Sequence, residues 1–312
     1  MDENQLRKVL GAASGAWEAG TANLIHGVAR ASVEAFKETL PSEEPDIPSP
    51  TPLPTPTSFR VFDQMRYAGK PPAAELGARK AKILYQGAFD IDDDGKLPPE
   101  RHIKQLARNN PDDVIVLDIE HPAWLNKNDW SFTGIGVNRY ETITRWWGLY
   151  AAASQLFGLY GVTTARNVLD AVAGPGQRRW DWWQGVNNQA AKIVPNVPAL
   201  FPSGYLFYDD AEKNDRYLKH NVAEARRTGG DRPVYVYVWP QGHSSAIDGS
   251  IKNQPIPPKL WRACLESVAK YADGCVIWTK SSQTKRLPWS SVAGAGKNTW
   301  WTETERFIRS IA

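Results

Sequence analysis

The feature that most limits what this chain can fold into is a regular alternation of two kinds of segment from residue 58 onward. Runs rich in apolar, β-branched and aromatic residues occupy 59–65, 82–86, 114–119, 156–162, 199–207, 234–239 and 274–279. Between most of them lie stretches of helical spacing, at 99–108, 138–155, 187–194, 210–227 and 258–272, with a last one at 300–311. Strands that are apolar almost throughout are buried on both faces, and strand–helix alternation places them in a parallel sheet covered by helices. Seven such units in about 250 residues fit a closed β/α barrel better than an open doubly wound sheet. An open sheet would more often show a glycine-rich phosphate loop after its first strand. Here that strand runs into Arg66-Tyr67-Ala68-Gly69-Lys70-Pro71, and neither GxGxxG nor GxxxxGK[ST] occurs anywhere. The expected fold is α/β, a distorted (β/α)7–8 TIM-like barrel over residues 58–312, and nucleotide binding is disfavoured.

The first 57 residues follow a different rule. Residues 41–57 read PSEEPDIPSPTPLPTPT, with seven prolines in 17 positions. Proline fixes φ and removes a backbone donor, so the stretch favours polyproline II and would span roughly 50 Å as a semi-rigid spacer. Residues 1–40 carry Leu6, Val9, Leu10, Ala13 and Trp17, then Leu24, Ile25, Val28 and Phe36, at helical intervals. Gly11, Gly15 and Gly20 interrupt a single rigid helix, so two short helices are expected. Forty residues cannot bury a core of their own. Three readings stand: a frayed leader, a helical anchor that docks a larger assembly and holds the body away on the spacer, or, as the least favoured, a membrane-surface helix.

Composition excludes several function classes. Lys plus Arg number 37 against 34 Asp plus Glu, a formal net charge of +3, and long basic runs are absent, so nucleic acid is not an expected partner. No apolar run reaches the roughly 18 residues of a membrane span. The start, Met1-Asp2-Glu3-Asn4, lacks the basic and apolar parts of a secretory signal. Cys264 and Cys275 cannot make a disulfide framework and are expected as buried thiols. Fourteen tryptophans are the compositional outlier, and they suggest a core with aromatic-lined recognition surfaces.

In a β/α barrel the functional residues stand at the C-terminal ends of the strands. Reading those ends gives Asp63, Gln64, Tyr85, Gln86, Asp118, Glu120, Tyr160, Tyr205, Trp239 and Trp278. The sharpest element is the strand 114–118 with its continuation to Glu120. Residues i and i+2 on a strand face the same way, so Asp118 and Glu120 would look together into the barrel mouth. Two carboxylates that close repel unless one keeps a proton, and a protonated carboxyl beside an ionised one suits general-acid cleavage of a glycosidic bond. A pair tied up by Arg or loop amides is the structural alternative. A metal site is another, though no His/Asp cluster at ligand spacing accompanies the pair.

Several segments together resemble the hyaluronidase family of glycoside hydrolases. Asp118-Ile119-Glu120 is similar to the D-x-E of that family's third strand, which usually reads VIDWE. ILYQGAF followed by GKLPPERHIKQL, 95–106, resembles the second strand and the G-x-PQ-x-x-x-L-x-x-HL helix. ALFPSGYL, 199–206, is close to ALYPSIYL. VAEARRTGGDRPVYVYVWP, 222–240, resembles EAxR followed by PVxVYxRP, and GCVIW, 274–278, matches GxVIW. The five pieces fall in the family's order over about residues 59–282.

The resemblance implies roles. Glu120 would be the proton donor and later the base. Asp118 would orient the substrate's 2-acetamido group, whose carbonyl oxygen acts as the nucleophile, so that retention is substrate-assisted. Tyr205 would hydrogen-bond the acetamido group, Trp278 would form the floor beneath the sugar, and Tyr160 stands where another pocket tyrosine would be expected. Some positions depart from the family. The tryptophan between its acids is Ile119 here, Glu-x-W-R-P becomes Glu120-His121-Pro122-Ala123-Trp124, and the arginine of YxRP is Trp239. Both missing arginines remove cations from the cleft, which points away from a uronic-acid substrate and towards a broader class of glycans bearing N-acetylhexosamine.

Weaker signals complete the reading. Trp124, Trp130, Trp180, Trp182 and Trp183 are candidates for a sugar-gripping rim, although the indoles of the insertion that follows the fourth strand, Trp180, Trp182 and Trp183, could equally pack that loop on the barrel; Trp146, Trp147 and Trp261 fall within helices as core. Asp90, Asp92 and Asp94 with Gly95 fit the first half of a calcium loop, but the twelfth position is Arg101 where glutamate belongs. A solvated acidic loop is the preferred reading and a structural Ca²⁺ its rival; no cofactor is required. His121 and His243 lie near strand ends. The expected function is a glycosidase on N-acetylhexosamine glycans. The alternatives are a non-catalytic glycan-binding barrel and a peptidoglycan muramidase, whose barrel also carries D-x-E. Anchor, spacer and glycan-active head without a secretion signal form a layout typical of a virion component, such as one of a phage; failing that, a cytoplasmic protein is expected.

Overall fold

Seven parallel staves close a ring, and the chain's apolar runs supply all of them. The computed structural model describes residues 59–89, 91–92, 95–126, 131–161, 178–294 and 296–311. The anchor 1–40, the spacer 41–57, Asp90, Asp94 and Trp130 lie outside these residues. In chain order the elements are β1 (Arg60–Gln64), β2 (Arg79–Lys80), β3 (Lys82–Tyr85), α1 (Glu100–Asn109), β4 (Val114–Asp118), α2 (Gly134–Tyr150) and β5 (Leu156–Leu159). Then follow α3 (Arg178–Asn188), α4 (Ala211–Gly229), β6 (Tyr235–Val238), α5 (Pro258–Tyr271), β7 (Gly274–Trp278), the single turn α6 (Ser281–Thr284) and α7 (Trp300–Ile311).

The strands form two parallel sheets, β2-β1-β7-β6 and β3-β4-β5. Residues 79–85 join them on one side, because β2 pairs with β1, β3 pairs with β4, and the Ala81 amide between them donates to Asp63 O at 3.3 Å. On the other side, residues 199–204 fill the gap between β5 and β6. Gly161 N donates to Phe201 O at 3.0 Å, while Leu200 N donates to Pro233 O and Tyr237 N to Pro202 O at 2.9 and 2.8 Å. The expected strand 199–207 is therefore a stave of isolated bridges and not a ladder. Pro202 has no amide to give, and Gly158 and Gly204 mark where backbone and side chains press too close for a Cβ, which would lie 2.4 Å from Ala199 O and 2.3 Å from Val236 Cγ1 respectively.

β4 is buried throughout its apolar length, Val114 to Leu117, as a central stave must be. The helices turn apolar stripes inward: Ile103 and Ala107 from α1, Tyr140, Ile143 and Trp147 from α2, Leu218, Val222 and Ala225 from α4. Thr133 caps α2 by accepting from Gly136 N at 2.9 Å, and Asp210 caps α4 by accepting from the amides of Glu212 and Lys213 at 2.8 and 3.0 Å. The expected helix over 187–194 is displaced. The α-helix is 178–188, and 3-10 turns carry the chain on to Asn196. Trp180, Trp183 and Val186 form its inward stripe at helical spacing, so of the two readings of these indoles packing against the barrel holds for Trp180 and Trp183, while Trp182 is exposed. Among the described residues, no helix is long and apolar enough to cross a membrane.

Candidate active site

The C-terminal ends of the staves surround a cavity of about 540 Å³. Seven of the residues expected at the site line it: Asp118, Glu120, Tyr205, Trp278, Tyr160, Trp239 and Tyr85. They come from β3, β4, the ends of β5 and the bridged stave, and the ends of β6 and β7, so only ring closure brings them together. Asp118 ends β4 half-buried, and Glu120, two residues on, is exposed at the mouth.

The loop that follows Glu120 is held from below. Trp124 N and Leu125 N both donate to His121 O, at 2.9 and 3.1 Å, and Ala123 N donates to the buried His121 Nδ1 at 3.1 Å. The Trp124 indole N–H donates to Gly95 O at 2.7 Å, and the Tyr140 hydroxyl donates to Ile119 O. Trp124 is 0% exposed. It is a buried prop of the acid-bearing loop and not part of a sugar-gripping rim, a correction the sequence could not supply because an indole suits either place.

An aromatic wall faces the acids. Tyr205 stacks on Trp278 with centroids 5.8 Å apart and on His243 with centroids 5.9 Å apart, and Trp239 meets Trp278 edge-on at 5.0 Å. Trp278 Nε1–H donates to the Tyr85 hydroxyl at 3.0 Å, and the Tyr237 hydroxyl donates to Gln64 Oε1 at 2.8 Å. Burial holds the phenols of Tyr205 and Tyr237 well above the usual tyrosine range, and for Tyr205 the neighbouring Tyr160 pushes further the same way. The nearby Asp118 charge acts in that direction on Tyr205, Tyr237 and Tyr85, whose upward shift is likewise led by burial. These phenols therefore keep their protons and stay able to donate beside a carboxylate, as the Tyr237 hydroxyl does to Gln64.

Three expected residues sit elsewhere. Asp63 is buried and pairs with Lys70, on the wall of a neighbouring cavity. Trp124 is the prop described above. Trp182 is 40% exposed on α3 and does not line the cavity. Asp92, from the acidic loop, accepts the Lys96 amide through Oδ1 at 2.8 Å, and that bond lowers its carboxyl pKa. Among the described residues, no cluster of three or more metal-ligating side chains occurs. Sequence reading missed Tyr237, Ser203 and Lys280 on the cavity wall. The first and last carried a signal, since Tyr235, Tyr237 and Trp239 alternate along one strand and Lys280 follows Trp278 by two. Lys280 also means that the cleft is not stripped of cations by the two missing arginines.

No protein-family model and no curated protein matches the sequence. Among solved structures, the fold is similar to bee venom hyaluronidase, with a TM-score of 0.52 at 13% identity over 81% of this chain and 98% of that one. The bee venom hyaluronidase in complex with a hyaluronic acid tetramer gives 0.55 at 14% identity, over 81% and 95% of the two chains. A fungal β-1,4-galactanase aligns at 0.45 and 12% identity, over 81% and 88%. At such identities the likeness is one of fold, and the fold is a distorted parallel β/α barrel of the TIM type.

Proposed function

We propose that this barrel is a retaining glycosidase acting on glycans that contain N-acetylhexosamine. The observation that carries the reading is the convergence of Asp118 and Glu120, from one strand end, with Tyr205 and Trp278 in one cavity. In the proposed reaction the sugar sits over Trp278 and its acetamido oxygen attacks C1 as the bond from C1 to the leaving oxygen breaks. Glu120 gives its proton to that oxygen. Asp118 accepts from the acetamido N–H and stabilises the positive charge of the cyclic oxazolinium, while Tyr205 donates to the acetamido oxygen. Water then adds to C1, the ring opens, and Glu120 recovers a proton. No protein nucleophile is needed on the opposite face of the sugar, so both carboxylates can come from one strand end.

Release of reducing ends from N-acetylated glycans, with peptidoglycan in the panel to test the muramidase alternative, measures this activity. Glu120→Gln should lower the rate by about 10³-fold. An unchanged rate would remove Glu120 from the chemistry. A binding-only barrel is the rival, and the exposure of Glu120 favours it, since water has free access to the acid until a ligand covers it. Saturable glycan binding without turnover, retained in Glu120→Gln, would establish that rival.

We also infer that residues 1–40 dock onto a larger assembly, such as a virion, with 41–57 as the spacer. A reporter fused to residues 1–57 should copurify with that assembly; a fusion that stays free would end the idea.

A further inference from the structure

Tyr237 and Gln64 are joined across the strand that separates them. Tyr237 on β6 pairs in register with Val276 of β7, Val276 pairs with Phe62 of β1, and Gln64 stands two residues beyond Phe62. Residues i and i+2 face one way, so Arg60, Phe62 and Gln64 share a face of β1, as Tyr235 and Tyr237 share one of β6. Both β6 hydroxyls find their partners on β1. Arg60 Nη1 donates to the Tyr235 hydroxyl at 3.2 Å, and the Tyr237 hydroxyl donates to Gln64 Oε1 at 2.8 Å. The second bond is shut away from water, with Tyr237 0% and Gln64 7% exposed. Gln64 Nε2 is buried as well and, among the described residues, has no hydrogen-bond partner. A buried donor left unused costs stability, a cost that methionine in the same space would avoid. Packing therefore does not account for a glutamine here. What glutamine supplies and an apolar residue cannot is the oxygen that holds the Tyr237 proton.

The direction of that proton bears on the acids. Tyr237 lines the same cavity as Asp118, and after burial the Asp118 charge is the strongest influence holding the Tyr237 phenol in its protonated form. A phenol that donates to a carboxylate stabilises the ionised form and makes it a weaker acceptor for any other N–H. Tyrosine has one proton to give, and here it is committed to Gln64. We propose that Gln64 is a positioning residue: by holding the Tyr237 proton it keeps Asp118 a strong acceptor for the substrate's acetamido N–H. The role rests on the hydrolase reading above and is exerted through Tyr237, since Gln64 does not itself line the cavity of the acids. Without Oε1 the hydroxyl is free to turn towards Asp118, which then ionises at lower pH and accepts less strongly. Replacing the unused Nε2 by oxygen, in Gln64→Glu, keeps the acceptor in place.

The test follows the Asp118 carboxyl directly, by ¹³C NMR of the full chain labelled at aspartate, with the resonance assigned by Asp118→Asn. All proteins carry Glu120→Gln, so that Asp118 titrates without a coupled partner acid. His243 and Lys280, the other charged or chargeable groups of the cavity besides its tyrosines, are common to every protein compared. Gln64→Met should move the Asp118 titration to lower pH, and Gln64→Glu should not. In the Tyr237→Phe background Gln64→Met should have no such effect, because no hydroxyl remains to turn. Gln64→Leu is the second apolar variant, so that one misfolded protein does not end the test. A titration unmoved by the apolar variants, or moved as far in the Tyr237→Phe background, would overturn the role. Kinetics with Glu120 intact supply the second readout. Gln64→Met should lower kcat about tenfold with KM nearly unchanged, and the acid limb of kcat/KM should follow Asp118 downward. A loss of rate with the limb in place would reduce Gln64 to a packing residue. A shifted Asp118 titration with no turnover by the unaltered protein upholds the relay and removes the hydrolase; turnover with an unshifted titration does the reverse.

Discussion

Tyr205 lies nearly parallel to Trp278, with ring centroids 5.8 Å apart and planes 24° from one another. One ring follows the bridged stave and the other ends β7, so the wall facing the acids is made by two parts of the chain that meet only when the ring closes. The phenol of Tyr205 stays protonated far above neutral pH and is available as a donor. Tyr205→Phe should therefore keep the fold and the stacking but lower kcat by about 10²-fold, the cost of removing one donor at a developing charge. On the proposed function, Trp278→Ala should raise KM as well as lower kcat, because it removes the surface proposed to carry the sugar. Steady-state kinetics on an N-acetylated glycan distinguish the two; equal effects of both variants on KM alone would contradict these roles.

Trp124 and Gly95 form one structural joint beneath Glu120. Gly95 has φ +66°, and a Cβ there would stand 2.7 Å from His121 and 2.8 Å from the Trp124 indole nitrogen. Trp124→Ala should destabilise the protein by about 3–5 kcal/mol, the usual cost of emptying a buried aromatic site. Gly95→Ala should also destabilise it, through backbone strain and the clash with His121. Urea titrations measure both. In each variant, activity under native conditions should fall as well, because the joint holds the loop that presents Glu120. A Trp124→Ala protein of unchanged stability would show that the indole is not a prop.

Much of the barrel was legible because its signals are local. The run 114–118 is apolar at every position before Asp118, and a central parallel stave needs that pattern. Asp118 and Glu120 follow from the same strand by period-two geometry alone. The stave 199–204 was legible as a place in the ring but not as bridges, because Pro202 and two close approaches by Gly158 and Gly204 depend on its neighbours. The helix 178–188 had a readable stripe in Trp180, Trp183 and Val186, outweighed by the preceding glycines and proline and the run of charges. The neighbouring cavity that holds Asp63 and Lys70, with Arg66, Lys82 and Lys285 also on its wall, could not be read at all. Arg66, Lys82 and Lys285 are scattered over more than two hundred positions, and nothing local says that ring closure puts them on one wall.

Stability should decline on the alkaline side for an identifiable reason. Burial raises the thiol of Cys264 from 9.0 to about 12, pushes Cys275 up as well, and lifts Tyr205 and Tyr237 well above 10.0. The unfolded chain releases these protons from about pH 9 upward, while the folded chain keeps them to higher pH. Between the two ranges the folded state binds more protons, so unfolding free energy falls as pH rises. Melting temperatures should hold steady from pH 7 to 8.5 and drop progressively above pH 9. Replacing Cys264 with Ala should make that drop less steep, whatever it does to stability at pH 7. A slope unchanged in the variant would locate the titrating groups elsewhere.

The assignment of Asp118 to the acetamido group makes a prediction that separates it from Glu120. A thiazoline analogue of N-acetylhexosamine mimics the cyclic intermediate and, once its ring nitrogen takes up a proton, presents that N–H for the Asp118 carboxylate to accept. The unaltered protein should bind this analogue much more tightly than it binds the open N-acetyl sugar, since it resembles the intermediate of the proposed reaction. Asp118→Asn exchanges a charged acceptor for a neutral amide and should weaken analogue binding by at least about tenfold, which corresponds to about 1.4 kcal/mol. Glu120 is proposed to act on the leaving oxygen, which the analogue lacks, so Glu120→Gln should change its affinity far less. Calorimetric titration of the three proteins measures this contrast. Equal losses in both variants would mean that Asp118 does not address the acetamido group, and an enzyme insensitive to the analogue would exclude substrate assistance.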